Sequence, residues 1–116
     1  LKAGRIVWYA ADQDNGRKYS VFAPFFGVPA ATITVTSRLA RLNDSPVVFM
    51  SHFRDEASKT WSVHLRRIRE YPTGDEVGDA TLMNQVIEQE IRTHPDQYLW
   101  IHRRFKNTPE GVRREY

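Results

Sequence analysis

Two uninterrupted apolar runs along the chain predict strands that are buried on both faces. One run, IVWYAA, occupies residues 6–11, and the other, VVFM, occupies residues 47–50. Neither run alternates with polar residues, as a strand with one solvated face would. The first run therefore predicts a strand at residues 5–11, and the second predicts a strand at residues 47–50.

Residues 30–42, which lie between the two runs, fit a helix, although some of them also alternate as a strand does. From Ala30 to Leu42, apolar residues recur on one face at helical spacing. Within it, residues 32–36 read TITVT, a β-branched sequence that favours a strand. If the helix forms, a strand, a helix and a second strand make one βαβ unit, and its two strands are parallel.

The second half of the chain predicts a hairpin followed by an amphipathic helix. After a polar tip at residues 54–60, apolar and polar residues alternate from Trp61 to Arg66, which indicates a half-buried strand antiparallel to the one before it. Asp79 is a plausible N-cap for a helix with an apolar face from Leu82 to Ile91. Pro95 ends that helix and opens a short new one.

The C-terminal residues and the composition narrow the possible partners. The tail that contains Arg113 and Arg114 is expected to be loose and cationic. The 116 residues suffice for at most one domain, and a net charge of +3 fits an anionic partner such as phosphate, a membrane surface or nucleic acid. The chain has no cysteine, which excludes disulfides and thiolate chemistry. It starts at Leu1 and soon enters a predicted buried strand, so we expect it to begin within a larger protein.

The loop that follows the first predicted strand carries the densest chemistry. In an open α/β sheet, ligands bind at the carboxyl ends of the strands. Asp12 and Asp14 have the chemistry to position a hydroxyl or bind a metal, and Arg17 and Lys18 to meet an anionic group. An apolar wedge follows directly and suits a substrate with a polar head and an apolar tail: Phe22, Phe25 and Phe26. A surface turn followed by core aromatics fits the same pattern.

Other catalytic and binding motifs are missing or ambiguous. No metal-binding histidine spacing, dinucleotide fingerprint or Walker loop occurs, so neither a metal nor a cofactor is expected. His52 and His64 read as sheet residues. The basic cluster at residues 102–106, beside Tyr98 and Trp100, has the composition to stack bases, to contact lipid headgroups, or only to complement its own helix dipole.

Three motifs, taken in order, resemble the late acyltransferases of lipid A biosynthesis. They are DQDNG at residues 12–16, VFAPFFGVPAAT at 21–32 and PDQYLWIHRRFKNTPEG at 95–111. The resemblance covers essentially the whole chain. It implies that residues 1–116 are the C-terminal segment of a single acyltransferase domain. The implied fold is α/β, with a mixed, mostly parallel sheet flanked by helices, as in glycerolipid acyltransferases.

The resemblance also implies a reaction and a place. These Gram-negative bacterial enzymes, lauroyl and myristoyl transferases, move an acyl chain from an acyl carrier protein thioester to a hydroxyl of a Kdo2-lipid A precursor. They work among the lipids of the inner membrane, on its cytoplasmic face, without nucleic acid. Their general base is a histidine in an H-x-x-x-x-D/E motif, and no histidine here has an acid five residues later. The chain alone is therefore expected to be inactive. The alternative is a non-catalytic basic module that binds anionic lipid or nucleic acid.

The same resemblance assigns expected roles to individual residues. Asp12 takes a supporting catalytic role at the active site. Six residues are expected to bind substrate, chiefly its phosphates and carboxylates: Asp14, Arg17, Lys18, Arg103, Arg104 and Lys106. The wedge residues Phe22, Phe25 and Phe26 are expected to wall the path of the acyl chain.

Overall fold

A computed structural model describes residues 3–116 as an α/β structure with two small sheets. Both sheets are antiparallel and two-stranded, so the prediction of a mixed, mostly parallel sheet is wrong. In chain order, the elements are β1 (Ser20–Phe25), β2 (Val28–Ile33), α1 (Val35–Leu42), β3 (Val47–Asp55), β4 (Thr60–Ile68), α2 (Glu76–Thr93) and a short 3₁₀ helix (Pro95–Gln97). Neither α-helix in the described range combines the length and the apolar character needed to cross a bilayer.

The first hairpin places the aromatic wedge against the core. Phe26 and Gly27 form its two-residue turn, both with positive φ (49° and 75°), as a type I′ turn requires. Phe26 adopts this unfavourable conformation with support from α2, since its N–H donates to Glu88 Oε1 at 2.7 Å. The helix was predicted to start at Ala30, which is too early. Residues 28–33 form β2, which pairs with β1, and α1 begins only at Val35.

The predicted βαβ unit is absent from the described residues. Residues 5–11 form no strand, and Ile6 and Trp8 are 98% and 72% exposed. An apolar run becomes a buried strand only when neighbouring strands pair with it, and no described residue does so here. The strand predicted at residues 47–50 does form, but it belongs to β3 and pairs only with β4.

The second hairpin confirms the predicted antiparallel pairing but not the predicted burial. Strands β3 and β4 pair in register from Val47 with Ile68 to Asp55 with Thr60. Every residue of β4 before Ile68 is exposed, including the apolar positions Trp61, Val63 and Leu65. The alternation of apolar and polar residues correctly predicted the strand. Burial needs a second layer, and the described chain places none over that face.

The helix α2 carries most of the core. Its buried residues Met83, Val86, Ile87 and Ile91 pack with Phe25, Ala30, Ile68 and Tyr71. The helix ends at Thr93, just before Pro95, and the 3₁₀ helix follows, both as predicted. The predicted N-cap is wrong. Asp75 caps the helix by accepting a hydrogen bond from Val77 N at 3.1 Å, whereas Asp79 is buried inside it and accepts from Thr73 N at 2.8 Å.

Replacing Asp75 by alanine is expected to lower the free energy of unfolding by about 1 kcal/mol, because the first turn of α2 loses its side-chain cap. Urea denaturation of the chain and of the Asp75→Ala variant measures this change. Asp96→Ala is a matched control, since Asp96 lies in the first turn of the 3₁₀ helix, which has no side-chain cap. Equal losses in the two variants would mean that the lost charge, not the cap, is responsible.

Candidate functional site

The loop at residues 12–16 is fixed to the C-terminal segment through Asp14. Only 2% of Asp14 is exposed. Its carboxylate accepts hydrogen bonds from Gly16 N at 2.9 Å, from Asn107 N at 3.1 Å and from Asn107 Nδ2 at 2.7 Å. In the other direction, Asp14 N donates to His102 Nε2 at 3.0 Å. The first and the last family-like motifs of the sequence thus meet in one place.

The turn after Asp14 depends on a glycine. Gly16 has a φ of +92°, which a residue with a side chain rarely adopts. This conformation turns its N–H back onto the Asp14 carboxylate and closes the loop. The glycine in the DQDNG motif is therefore explained by the loop geometry, without any ligand.

The Arg17 side chain is hydrogen-bonded to the C-terminal turn, residues 106–114. Its guanidinium donates to the carbonyl oxygens of Thr108 and Pro109, the latter at 3.1 Å, and lies 5.3 Å above the ring of Phe22. Lys18, by contrast, is exposed and lies over the ring of Tyr19 at 5.2 Å. Of the two cations predicted for this loop, only Lys18 keeps its head free of hydrogen bonds to the described residues.

The C-terminal turn, residues 106–114, is closed by hydrogen bonds, whereas the sequence predicted a loose tail. Asn107 and Arg113 form an antiparallel bridge, and Arg114 N donates to Lys106 O at 2.9 Å. Within the turn, Thr108 Oγ1 donates to Val112 O at 2.9 Å. These bonds and the Arg17 contacts hold residues 106–114 against the loop.

Arg104 lies in the interior, with 3% of its surface exposed. Its Nη1 donates to Ala31 O at 2.6 Å, and its Nη2 donates to Thr32 Oγ1 at 2.9 Å and to Asn84 Oδ1 at 3.2 Å. The guanidinium also lies 5.1 Å from the centre of the Phe25 ring. Burial lowers the pKa of Arg104, against the opposing effect of nearby anionic groups. The residue ties β2 to α2.

Asp12 lies beside the buried hydroxyl of Tyr98. That hydroxyl has no hydrogen-bond partner within standard geometry among residues 3–116. Burial raises the pKa of Tyr98, and the neighbouring carboxylate of Asp12 raises it further. The Tyr98 ring is held by Phe25 and Trp100, with ring centres 6.4 Å and 4.9 Å away. Asp12 is thus a half-buried carboxylate at an aromatic wall.

The three wedge residues differ in how accessible they are. Phe25 is fully buried in the core, whereas Phe22 and Phe26 are half-buried. Phe26 packs edge-on against Phe25 at 4.9 Å, and its ring also lies under the guanidinium of Arg92. Only Phe22 and Phe26 therefore present part of their rings to the surface.

A shallow cavity of about 460 Å³ opens next to the loop. It is lined by Asp14, Asn15, Gly16, Lys106, Asn107 and Arg113. A second cavity, of about 400 Å³, lies at the base of the second hairpin and contains none of the residues predicted for the site. In the described part of the chain, no group of three or more histidine and carboxylate side chains could hold a metal ion.

The structure brings together some of the predicted residues and separates others. Asp14 and Lys106 line one cavity, and Arg17 supports its rim. Arg103 is exposed beside the ring of Tyr116, and Arg104 is in the core. His52 and His64 lie on β3 and β4, as predicted.

Sequence reasoning placed His102 only in the basic cluster, without its contact to Asp14, and assigned no role in the site to Asn107 or Arg113. His102 and Asn107 contact a residue 88 and 93 positions away, so no local pattern could have revealed these contacts. For Asn107, its place in the long closing motif was the only available signal.

Comparison with known proteins identifies clear relatives. Residues 1–107 match the family described as bacterial lipid A biosynthesis acyltransferase. The chain is 46% identical over 113 residues to the lipid A biosynthesis palmitoleoyltransferase of Escherichia coli (strain K12), covering 96% of this chain and 37% of that protein. It is 42% identical over 118 residues to the lipid A biosynthesis lauroyltransferase of the same organism, covering 100% and 39%. It is 35% identical over 113 residues to a lipid A biosynthesis acyltransferase of Haemophilus influenzae, covering 95% and 36%. The chain thus spans less than two fifths of the length of these relatives.

Proposed function

The chain belongs to the bacterial lipid A biosynthesis acyltransferase family, and we propose that it forms the C-terminal segment of one acyltransferase domain that acylates a lipid A precursor. The proposed donor is the thioester of acyl carrier protein, and the proposed acceptor is a hydroxyl of a Kdo2-lipid A precursor. The reaction would take place on the cytoplasmic face of the inner membrane. We propose that the enzyme adds one secondary acyl chain.

The proposed chemistry is acyl transfer from sulfur to oxygen. The acceptor hydroxyl loses its proton to a general base and attacks the thioester carbonyl, and the carrier thiol leaves. No histidine in these residues has an acid five positions later, so we assign the general base to a part of the complete protein outside them. The role proposed for this chain is to position the acceptor.

One observation carries this proposal: the Asp14–Asn107 junction joins the DQDNG loop to the closing basic motif. Asp12 lies two residues before that junction, beside the aromatic wall of Tyr98 and Trp100. A polar, charged surface therefore adjoins an aromatic one, as an acceptor with a charged sugar head and apolar chains requires. We propose that Asp12 hydrogen-bonds the acceptor or a catalytic group in the active site.

The remaining residues divide into direct and indirect roles in this proposal. Lys18 and Arg103 are exposed, and Lys106 is half-buried and lines the cavity; all three would contact phosphates or carboxylates. Phe22 and Phe26 would border the acyl chain. Three residues would act by holding the site together: Asp14, Arg17 and Arg104, with Phe25 packed behind them.

The test is acyl transfer by the complete protein, with acyl carrier protein as donor and a Kdo2-lipid A precursor as acceptor. Asp12→Asn is expected to lower kcat by about 10²-fold or more, which is typical of losing a group that directs proton transfer. Asp96→Asn, on the exposed 3₁₀ helix, is expected to leave kcat unchanged. Thermal melting of both variants shows whether the fold is intact. An Asp12→Asn enzyme with the parent rate would remove Asp12 from the mechanism, and a parent protein that transfers no acyl chain of any length would refute the proposed reaction.

A further inference from the structure

Four cationic side chains near the loop fall into two groups, and only one group is available to a ligand. Arg17 and Arg104 donate their guanidinium N–H groups to protein acceptors, namely backbone carbonyls of the turn and polar groups of the core. Lys106 and Arg113 differ from them. Their side chains make no hydrogen bond or ion pair with any residue of the range 3–116, and both line the cavity beside Asp14.

The one carboxylate that lines this cavity does not neutralise these two cations directly. Asp14 is 2% exposed, and both its oxygens accept N–H groups, from Gly16 and from Asn107. With one buried anion and two cations, the cavity has a formal net charge of +1. Nearby, the pKa of Glu110 lies below its ordinary value, chiefly through hydrogen bonds, and the charges of Arg114 and Arg17 lower it further.

The backbone holds Lys106 and Arg113 in one closed turn beside the cavity before any ligand arrives. The bridge between Asn107 and Arg113 and the bond from Arg114 N to Lys106 O close the turn. Asn107 is in turn locked to Asp14, so the turn cannot move away from the loop without breaking buried hydrogen bonds. A site that is ordered in advance loses less entropy when it binds.

The chemistry of the two side chains defines the class of ligand. An arginine guanidinium matches the two oxygens of a phosphate or carboxylate, and a lysine ammonium adds a point charge. We propose that Lys106 and Arg113 form a subsite for a phosphate or carboxylate group carried by a sugar. Assigning that group to the lipid A precursor rests on the proposed function, whereas anion binding in the cavity does not.

The experiment titrates the ¹⁵N-labelled complete protein with glucose 1-phosphate, with glucuronate and with glucose, and follows the backbone amides of these residues by NMR. We expect saturable shifts at Gly16, Asn107 and Arg113 with the two anions and none with glucose. A larger response to glucose 1-phosphate than to glucuronate would identify phosphate as the preferred group, and the reverse would identify carboxylate. The double variant Lys106→Ala/Arg113→Ala is expected to weaken binding at least about tenfold, which corresponds to ~1.4 kcal/mol.

A matched control distinguishes a built site from general positive charge. Arg67 and Arg69 line the other cavity, at the base of the second hairpin, and Arg67→Ala/Arg69→Ala removes the same net charge. We expect this variant to bind as the parent chain does. The subsite is refuted if the control loses as much affinity as Lys106→Ala/Arg113→Ala, or if neither variant loses any. An unchanged amide spectrum elsewhere confirms that each variant is folded.

The outcomes also separate this subsite from the proposed reaction. Anion binding that depends on Lys106 and Arg113, in a complete protein that transfers no acyl chain, would leave the subsite standing and refute the proposed function. If transfer is observed while the chain binds neither anion, the reaction stands and the subsite is refuted.

Discussion

Replacing Arg104 by leucine is expected to destabilise the folded chain by about 3–5 kcal/mol, a large part of the stability of a typical domain. The substitution removes the donor from three acceptors that stay buried, Ala31 O, Thr32 Oγ1 and Asn84 Oδ1. Leucine has no side-chain N–H group to donate to these acceptors. Water reaches this position poorly, because Arg104 is 3% exposed. Urea denaturation at constant pH measures the change in the free energy of unfolding.

The neighbouring arginine provides the control. Arg103 is exposed, and its guanidinium lies 5.9 Å from the centre of the Tyr116 ring, so Arg103→Leu is expected to cost less than about 1 kcal/mol. Arg104→Lys keeps the charge but loses the planar fork, so we expect it to fall between the two. If Arg104→Leu were as stable as Arg103→Leu, Arg104 would not be part of the core, and its expected contact with substrate would regain support.

Replacing Asp14 by alanine is expected to lower the free energy of unfolding by about 2–4 kcal/mol and to release the loop from the C-terminal turn. Three N–H donors lose their acceptor, one from Gly16 and two from Asn107. Amide hydrogen exchange at Gly16 and Asn107 is expected to accelerate more than exchange in α2. Denaturation and exchange together distinguish global loss of stability from local release.

Asp12→Ala serves as the paired variant, because it removes the same charge two residues away. Its carboxylate has no hydrogen bond within standard geometry to another described residue, so a much smaller loss of stability is expected. In the complete protein, we expect the opposite order for kcat per folded molecule, with Asp12→Ala the more damaging. If both variants had the same stability as the parent chain, the Asp14 contacts would contribute little to folding.

Local sequence patterns predicted elements well where the cause is local. Pro95 ends α2 because the residue before a proline resists helical geometry, and the polar tip at residues 54–60 brings β3 and β4 together as an antiparallel pair. Residues 32–36, which fitted both a helix and a strand, belong to two elements. Pairing with β1 extends β2 to Ile33, and α1 starts at Val35. The parallel sheet was predicted wrongly because apolar runs indicate burial without indicating what covers them.

The same distinction applies to the site. Family-like motifs located the loop and the closing segment, and comparison with relatives confirmed the family. They did not predict which cations are free. Arg17, Arg104, Lys106 and Arg113 all read as basic residues, and only the folded chain shows that the first two are bound by protein acceptors. Contacts across 88 to 93 positions decide this, and no window of sequence contains them.

The hydrogen bonds between Asp14 and Asn107 close a loop that contains most of the chain. Closing so long a loop costs more chain entropy than closing either hairpin, so it becomes favourable only after α2 and the hairpins have shortened the distance between its ends. The junction is therefore expected to form late in folding and to open early in unfolding. At temperatures below global melting, we expect a state that keeps α2 and both hairpins while residues 12–16 and 106–114 separate. Proteases would cut that state first at these two segments, and an anion bound between them would slow the cutting.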